Sequence, residues 1–246
     1  MDGPNAAGKV QTGLPGLDKL LEGGFPVGKI ILLIGEPGAG KSILSSQFIM
    51  WGLKQNEHGL LIGMNETKDR YTAEMKGMNL DFESYEKEGS YSYVDATTVR
   101  RIPEQARVGR IPVGGRELGL VNLVDMIVEA AEKLAPHRIV VDSISDLVFR
   151  FPRLEERRPV ILDLVETLQG TGATCVMTSE VTTIGPDRTL QPEEYLAEGV
   201  IQLKTLPKGV RSIQVLKMRG AKIDTKPRPY IISDAGIEVL AAEEIY

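Results

Sequence analysis

Two kinds of apolar run alternate along the chain. Ile30-Ile31-Leu32-Leu33-Ile34, entered from Lys29, is continuously apolar up to Gly35, as a strand buried on both faces of a sheet must be. Residues 42–53 then repeat apolar side chains at helical spacing, so strand, glycine turn and helix follow in order. The pattern recurs: 60–63 reads as a strand, 68–78 as a helix, 90–94 as a strand, 118–134 as a helix, 138–142 as a strand, 159–170 as a helix and 173–179 as a strand. Strands alternating with helices predict right-handed crossovers and a mostly parallel sheet covered on both sides. Ahead of this series, 14–21 forms a short amphipathic helix stopped by Gly23-Gly24-Phe25-Pro26. The tail differs, because 199–204, 211–217 and 230–233 read as consecutive strands, with Pro207-Lys208-Gly209 as a hairpin turn. The predicted fold class is α/β: a mostly parallel twisted sheet flanked by helices, with antiparallel C-terminal edge strands.

Two stretches carry no period. Residues 96–117 and 182–192 read as long loops, the class that is usually functional or mobile. The first contains Arg100, Arg101, Arg107, Arg110 and Arg116, a local basic character hidden by the overall balance of 29 basic and 34 acidic residues, a net charge of -5. That balance works against bulk attraction to nucleic acid or anionic lipid. Gly3, Pro4, Asn5 and Gly8 make residues 1–10 a flexible leader. With 246 residues, 42% hydrophobic and 26% charged, the expectation is a single globular domain over 1–246. No apolar run approaches the roughly 18 to 20 residues that span a bilayer, and the start lacks a signal peptide's basic and apolar regions. A cytoplasmic protein without membrane contact is expected. The single cysteine, Cys175, lies within a predicted core strand, and two histidines, His58 and His137, are too few for a His-rich metal site.

The chemistry concentrates after the first core strand. Gly35-Glu36-Pro37-Gly38-Ala39-Gly40-Lys41-Ser42 matches G-x-x-x-x-G-K-[ST] in full, between a predicted strand and a predicted helix. In such a loop successive backbone N–H groups turn inward toward phosphate oxygens, and the following helix adds unpaired amides and its positive end. Lys41 is placed to reach the β- and γ-phosphates, and the Ser42 hydroxyl to ligate Mg2+. Asp142 ends another apolar strand at the carboxyl edge of the same sheet, the natural second anchor for Mg2+ through water; its competing role is to cap the residues after Ser143. Thr178, Ser179 and Glu180 end a third strand at this edge, either to sense the γ-phosphate or simply to close the strand.

Several spaced motifs then appear in a fixed order: Thr12-Gly13-Leu14-Pro15-Gly16-Leu17-Asp18, Gly23-Gly24-Phe25-Pro26, the phosphate loop, Val140-Val141-Asp142-Ser143, Gly199-Val200-Ile201 and Lys217-Met218-Arg219-Gly220. Together they resemble the KaiC family of RecA-superfamily ATPases over nearly the whole chain. The resemblance implies a RecA-like P-loop core, ATP as nucleotide and a homo-oligomeric ring, typically a hexamer, with each active site at a subunit boundary. It also implies that Lys217 and Arg219 approach the γ-phosphate of a neighbouring subunit. Strand periodicity agrees, since positions two apart share a face while Met218 packs on the other.

The chain departs from the family pattern in two places. Where the family carries adjacent glutamates after the second strand, this sequence has Asn65-Glu66. An amide hydrogen-bonds water but accepts no proton near neutral pH, so slow hydrolysis is expected, with Glu66 as the remaining carboxylate or as a cap for the next helix. Where the clock protein phosphorylates a Ser-Thr pair, this chain has Glu194-Tyr195, which argues against clock-type self-phosphorylation. The leading reading is an ATP-dependent ring regulator whose state another protein reads. A DNA-binding RecA-like motor using the Arg-rich loops at 100–116 and 150–158, and an ATP-binding scaffold without turnover, are its competitors. Glu155 and Glu156 interrupt the second loop, and the first has no aromatic residue on which a base would stack.

Overall fold

The computed structural model describes residues 8–97, 105–108, 111–151, 153–181 and 190–245, with the backbone alone for 105–108, 111–120 and 150. In chain order the elements are β1 (Lys9–Val10), α1 (Pro15–Leu20), β2 (Phe25–Pro26), β3 (Ile30–Gly35), α2 (Lys41–Lys54), β4 (Gly59–Gly63), α3 (Lys68–Gly77), α4 (Glu83–Lys87), β5 (Tyr91–Asp95), β6 (Gln105–Val108), β7 (Ile111–Gly114), α5 (Gly115–Leu134), β8 (Arg138–Asp142), α6 (Ser145–Arg150), α7 (Leu154–Gly170), β9 (Thr174–Glu180), α8 (Pro192–Leu196), β10 (Gly199–Thr205), β11 (Arg211–Met218), β12 (Arg228–Ser233) and β13 (Gly236–Val239). One nine-stranded sheet runs β13-β12-β11-β10-β3-β9-β8-β4-β5. From β10 to β5 its strands are parallel. The antiparallel strands β11, β12 and β13 extend one edge.

The continuous apolar runs are explained by two cores. On one face of the sheet Ile31 and Leu33 pack with Phe48 and Ile49 of α2. On the other, Ile30, Leu32 and Ile34 meet Leu123 and Ile127 of α5 and Ile161, Leu164, Val165 and Leu168 of α7, a helical stripe of i, i+3, i+4 and i+7 spacing. Helix α2 is buried nearly all round, because α1 and the β12–β13 hairpin cover the side it turns away from the sheet. Arg138, at the start of β8, is 2% exposed. Its guanidinium donates to the carbonyls of Gln11 and Phe48, pairs with Glu57 and lies over the Phe48 ring, tying the N-terminal segment to α2.

Several segments differ from expectation. Helix α7 begins at Leu154 and contains Pro159 rather than starting there. Arg157, buried in that extra turn, donates to the Phe151 carbonyl and to Gln191 Oε1, which anchors it despite the N–H that proline lacks. Helix α6 was not visible as a period. The stretch read as a long loop supplies the β6–β7 hairpin and the first turn of α5, with Arg107 and Arg116 in these elements. Arg100, Arg101 and Arg110, and residues 182–189 of the second stretch, lie outside the described residues, as do 1–7 of the leader. Lys9 and Val10 pair with Pro26 and Phe25, and Lys9 Nζ donates to the carbonyls of Leu21 and Glu22. His58 N–H donates to His137 Nδ1 at 3.1 Å. Among the described residues no group of three or more His, Cys, Asp or Glu is arranged to hold a metal, and no helix is long and apolar enough to cross a membrane.

Candidate functional site

The carboxyl edge of the parallel sheet brings the candidates together. The loop 36–40 leaves β3 at Gly35 and enters α2 at Lys41. Gly38 and Gly40 have φ of 77° and 91°, a conformation that costs an L side chain energy and that glycine adopts freely. A Cβ on Gly40 would also lie 2.9 Å from the Ile232 side chain. Lys41 Nζ folds back over the loop and donates to the carbonyls of Gly35 and Glu36, at 2.9 Å each. Burial pushes the Lys41 ammonium below the usual lysine range, while Glu180, Asp142 and Glu36 act in the opposite sense. Asp142 and Glu180, at the ends of β8 and β9, mark the far wall of the same crevice.

Strand register arranges that wall. Gly35 pairs with Glu180 on β9, and Val141 of β8 pairs with Met177, so Thr178 is beside Asp142 and its hydroxyl donates to Asp142 Oδ1. Ser145 Oγ accepts from the Glu180 backbone N–H at 2.9 Å. Next along the edge, Met64 N–H donates to the Asp142 carbonyl, and Asn65 Nδ2 donates to Ser143 Oγ at 2.9 Å. Asn65 Oδ1 and Ser179 Oγ are buried without a protein partner. The Glu66 carboxylate lies 3.7 Å from Arg70. Burial raises its pKa, with Glu74 and Asp142 adding to the rise and Arg70 opposing it.

These residues fit the phosphates of a nucleotide and a hard divalent ion. The loop is concave with left-handed glycines, Ser42 stands in the first turn of α2, Asp142 is held from one side by Thr178, and the two orphaned polar atoms lie at the same edge. Gly35, Glu36, Pro37, Gly38, Ala39, Gly40, Lys41 and Ser42 would hold phosphate, and Ser42 and Asp142 would hold Mg2+.

Lys217 and Arg219 are elsewhere. Lys217 pairs with Val200, which pairs with Leu32, and Arg219 N–H donates to the Glu198 carbonyl; both cations therefore lie toward the opposite, amino edge of the parallel strands. Lys217 Nζ donates to the carbonyls of Glu194 and Ala197, and Arg219 Nη2 to that of Tyr195. Burial holds Lys217 below the usual lysine range, with Arg219 contributing. A bulge sets their direction. Ile201 pairs with Val215 but Val200 with Lys217, which leaves Leu216 as the extra residue. Ile213 and Val215 face the α2 core, Leu216 packs against the α5–α7 core, and Met218 returns to the α2 side, so Lys217 and Arg219 emerge toward α8.

Sequence reasoning had no signal for one contributor. Tyr230, 2% exposed on β12, donates its hydroxyl to the Ala39 carbonyl of the phosphate loop at 2.6 Å. The two residues are 191 positions apart in the sequence, and only packing of the C-terminal hairpin brings them into contact.

Comparison with known proteins agrees with this fold. The sequence model of the KaiC ATPase family matches residues 10–244. A UPF0273 protein of Aeropyrum pernix is 35% identical over 235 residues, covering 94% of this chain and 93% of that protein. The circadian clock protein KaiC3 of Synechocystis is 29% identical, covering 96% of this chain and 46% of that longer protein. The crystal structure of a KaiC-like protein from Pyrococcus horikoshii superposes with a TM-score of 0.77 at 31% identity, covering 94% of this chain and 98% of that one. A family match from residue 10 to residue 244, together with the fold shared with a KaiC-like structure, places the chain in the KaiC family of RecA-type, nucleotide-binding ATPase domains.

Proposed function

We propose that this protein is a slow, Mg2+-dependent ATPase that works as a cytoplasmic regulator, assembling into a homohexameric ring in which Lys217 and Arg219 complete the active site of the adjacent subunit. The observation that carries this reading is the separation of the two halves of the site. The phosphate loop is at the carboxyl edge of the sheet and the cation pair at the amino edge, so one chain does not bring them together. Tyr195, beside Arg219 and 57% exposed, offers surface for a neighbouring copy.

Within one chain the roles follow from position. Lys41 exchanges its bonds to the Gly35 and Glu36 carbonyls for phosphate oxygens, a stronger charge-assisted contact. Asp142, held by Thr178, and Ser42 would ligate the ion, whose contribution when bound is to neutralise phosphate charge. Asn65 positions water without taking its proton, and Glu66 is the carboxylate left to act as base. Loss of the usual first glutamate supports a slow enzyme whose nucleotide state is a signal for a protein partner. The nucleic-acid alternative draws less from the structure: Arg157 is buried and committed to Phe151 and Gln191, and Arg153 lies 3.6 Å from Glu156.

The test is phosphate release from Mg·ATP measured across protein concentration, with native mass determined in parallel. Turnover that rises with assembly is expected. Tight ATP binding without turnover at any concentration would replace this reading with the scaffold. Lys41→Ala should abolish ATP binding while the chain stays folded; undiminished binding would remove the premise.

A further inference from the structure

Beyond the loop itself, the described residues contain a strut that touches it from behind. Hairpin β12–β13 closes tightly, with Ser233 paired to Gly236, and is clamped to the helices around the loop. Ile237 N–H donates to Gln47 Oε1 of α2 at 2.8 Å, and Asn79 Nδ2 donates to the Asp234 carbonyl at 2.8 Å. The side chains of Ile232 and Ile237 close on Gly40, each within about 3 Å of where a Cβ would stand. The Tyr230 hydroxyl reaches the Ala39 carbonyl from the same hairpin.

The peptide between Ala39 and Gly40 is trans, since the described residues contain a cis bond only at Asp142-Ser143. In a trans peptide the carbonyl and the following N–H point in opposite directions. A carbonyl of Ala39 fixed toward Tyr230 therefore turns the N–H of Gly40 away from the hairpin. That N–H belongs to the set from which a phosphate cradle is made. Rotation of this one peptide would replace a donor facing phosphate with a carbonyl oxygen facing phosphate, an unfavourable contact between like charges.

We infer that Tyr230 is a positioning residue for phosphate binding: its hydroxyl, presented by the C-terminal hairpin, holds the Ala39-Gly40 peptide in the orientation that offers the Gly40 N–H to a nucleotide's phosphates. Burial pushes the phenol up to about 12, so the hydroxyl keeps its proton and donates across the neutral range. The inference rests on the nucleotide reading of the loop, and it adds a function for the tail of the chain, which the phosphate-loop motif does not include.

The experiment compares wild type, Tyr230→Phe, Ile231→Ala and Lys41→Ala by titration calorimetry with ATP, ADP and inorganic triphosphate, and records melting temperatures without ligand. Tyr230→Phe removes one oxygen and keeps the ring. It should weaken all three ligands by a similar factor of about 5 to 10, the scale of one lost hydrogen bond. Ile231→Ala trims the exposed outer face of the same hairpin, away from the loop, and should leave the affinities within about twofold even where it lowers the melting temperature. Tyr230→Phe affinities within about twofold of wild type, or an equal loss in Ile231→Ala, would overturn the role of the hydroxyl. Wild type that binds none of the three, or Lys41→Ala that binds as wild type does, would overturn the nucleotide reading on which it rests.

Discussion

A mixing experiment tests the shared site most directly. Arg219 N–H donates to Glu198 O and Glu198 N–H to Ile30 O, so Arg219 is level with Ile30, five residues before Gly35 on β3. At about 3.3 Å per residue this is roughly 16 Å along the sheet, and two strand spacings of about 4.8 Å add roughly 10 Å across it, some ~19 Å in all. No arginine side chain closes that distance within one chain. Arg219→Ala should therefore lower turnover by about 10³ to 10⁵, the range for arginine fingers, with ATP affinity little changed. Lys41→Ala is inactive for a different reason, having lost phosphate binding. In rings assembled from equal amounts of the two variants, a site works when its own chain keeps Lys41 and its neighbour keeps Arg219. Random order makes that about one half times one half, so about a quarter of wild-type turnover should return on mixing. The assay is phosphate release after co-assembly, with native mass confirming that both variants enter one particle. Mixed rings that remain inactive would refute the argument, since a finger acting within its own chain leaves every subunit short of one group.

The other predictions concern the base and the fold. Asn65→Glu restores a proton acceptor beside Ser143, and turnover should rise at least about tenfold; an unchanged rate would show that Asn65 does not limit hydrolysis. Because burial and the neighbouring Glu74 and Asp142 raise the Glu66 pKa, its base form appears at a higher pH than that of an unburied glutamate. The acid limb of the wild-type rate profile should lie there, and Glu66→Gln should abolish the limb together with most of the activity; a superimposable profile would exclude Glu66 as base. Arg138→Met removes a 2% exposed guanidinium from Glu57, Gln11 and Phe48. Glu57 is 30% exposed and rehydrates, so the cost should fall at the lower end for a broken buried pair, about 3 kcal/mol or roughly 6 to 12 °C in Tm. A shift below about 2 °C in thermal unfolding would mean that Arg138 is not a keystone of the N-terminal segment.

The parallel core was legible in the sequence. Strands β3, β8 and β9 are short apolar runs each followed in sequence by a helix, and a strand covered on both faces has no alternative but to be apolar throughout. The phosphate loop was legible for a related reason: its glycines, Lys41 and Ser42 act within a few residues of one another, so the motif contains its own geometry. Asp142 was visible because it ends such a strand. Less was visible where a side chain from elsewhere decides the outcome. Helix α7 starts before Pro159 because Arg157 finds the Phe151 carbonyl and Gln191, and α6, the β6–β7 hairpin and the first turn of α5 have too few periodic positions to stand out.

The pair Lys217 and Arg219 shows where the boundary lies. Spacing alone put both cations on one face of a strand with Met218 opposite. It did not determine which face, because strict alternation from Ile213 and Val215 would have aimed Lys217 into the α2 core. The extra residue Leu216 reverses the direction, and a bulge exists only in relation to the register of its partner strand β10. The contact from Tyr230 to Ala39 belongs to the same class. Local interactions encode the loop's shape, since they act between neighbours in the chain; the hairpin that steadies it and the direction of the cations depend on pairings between distant segments, which only the packed sheet settles.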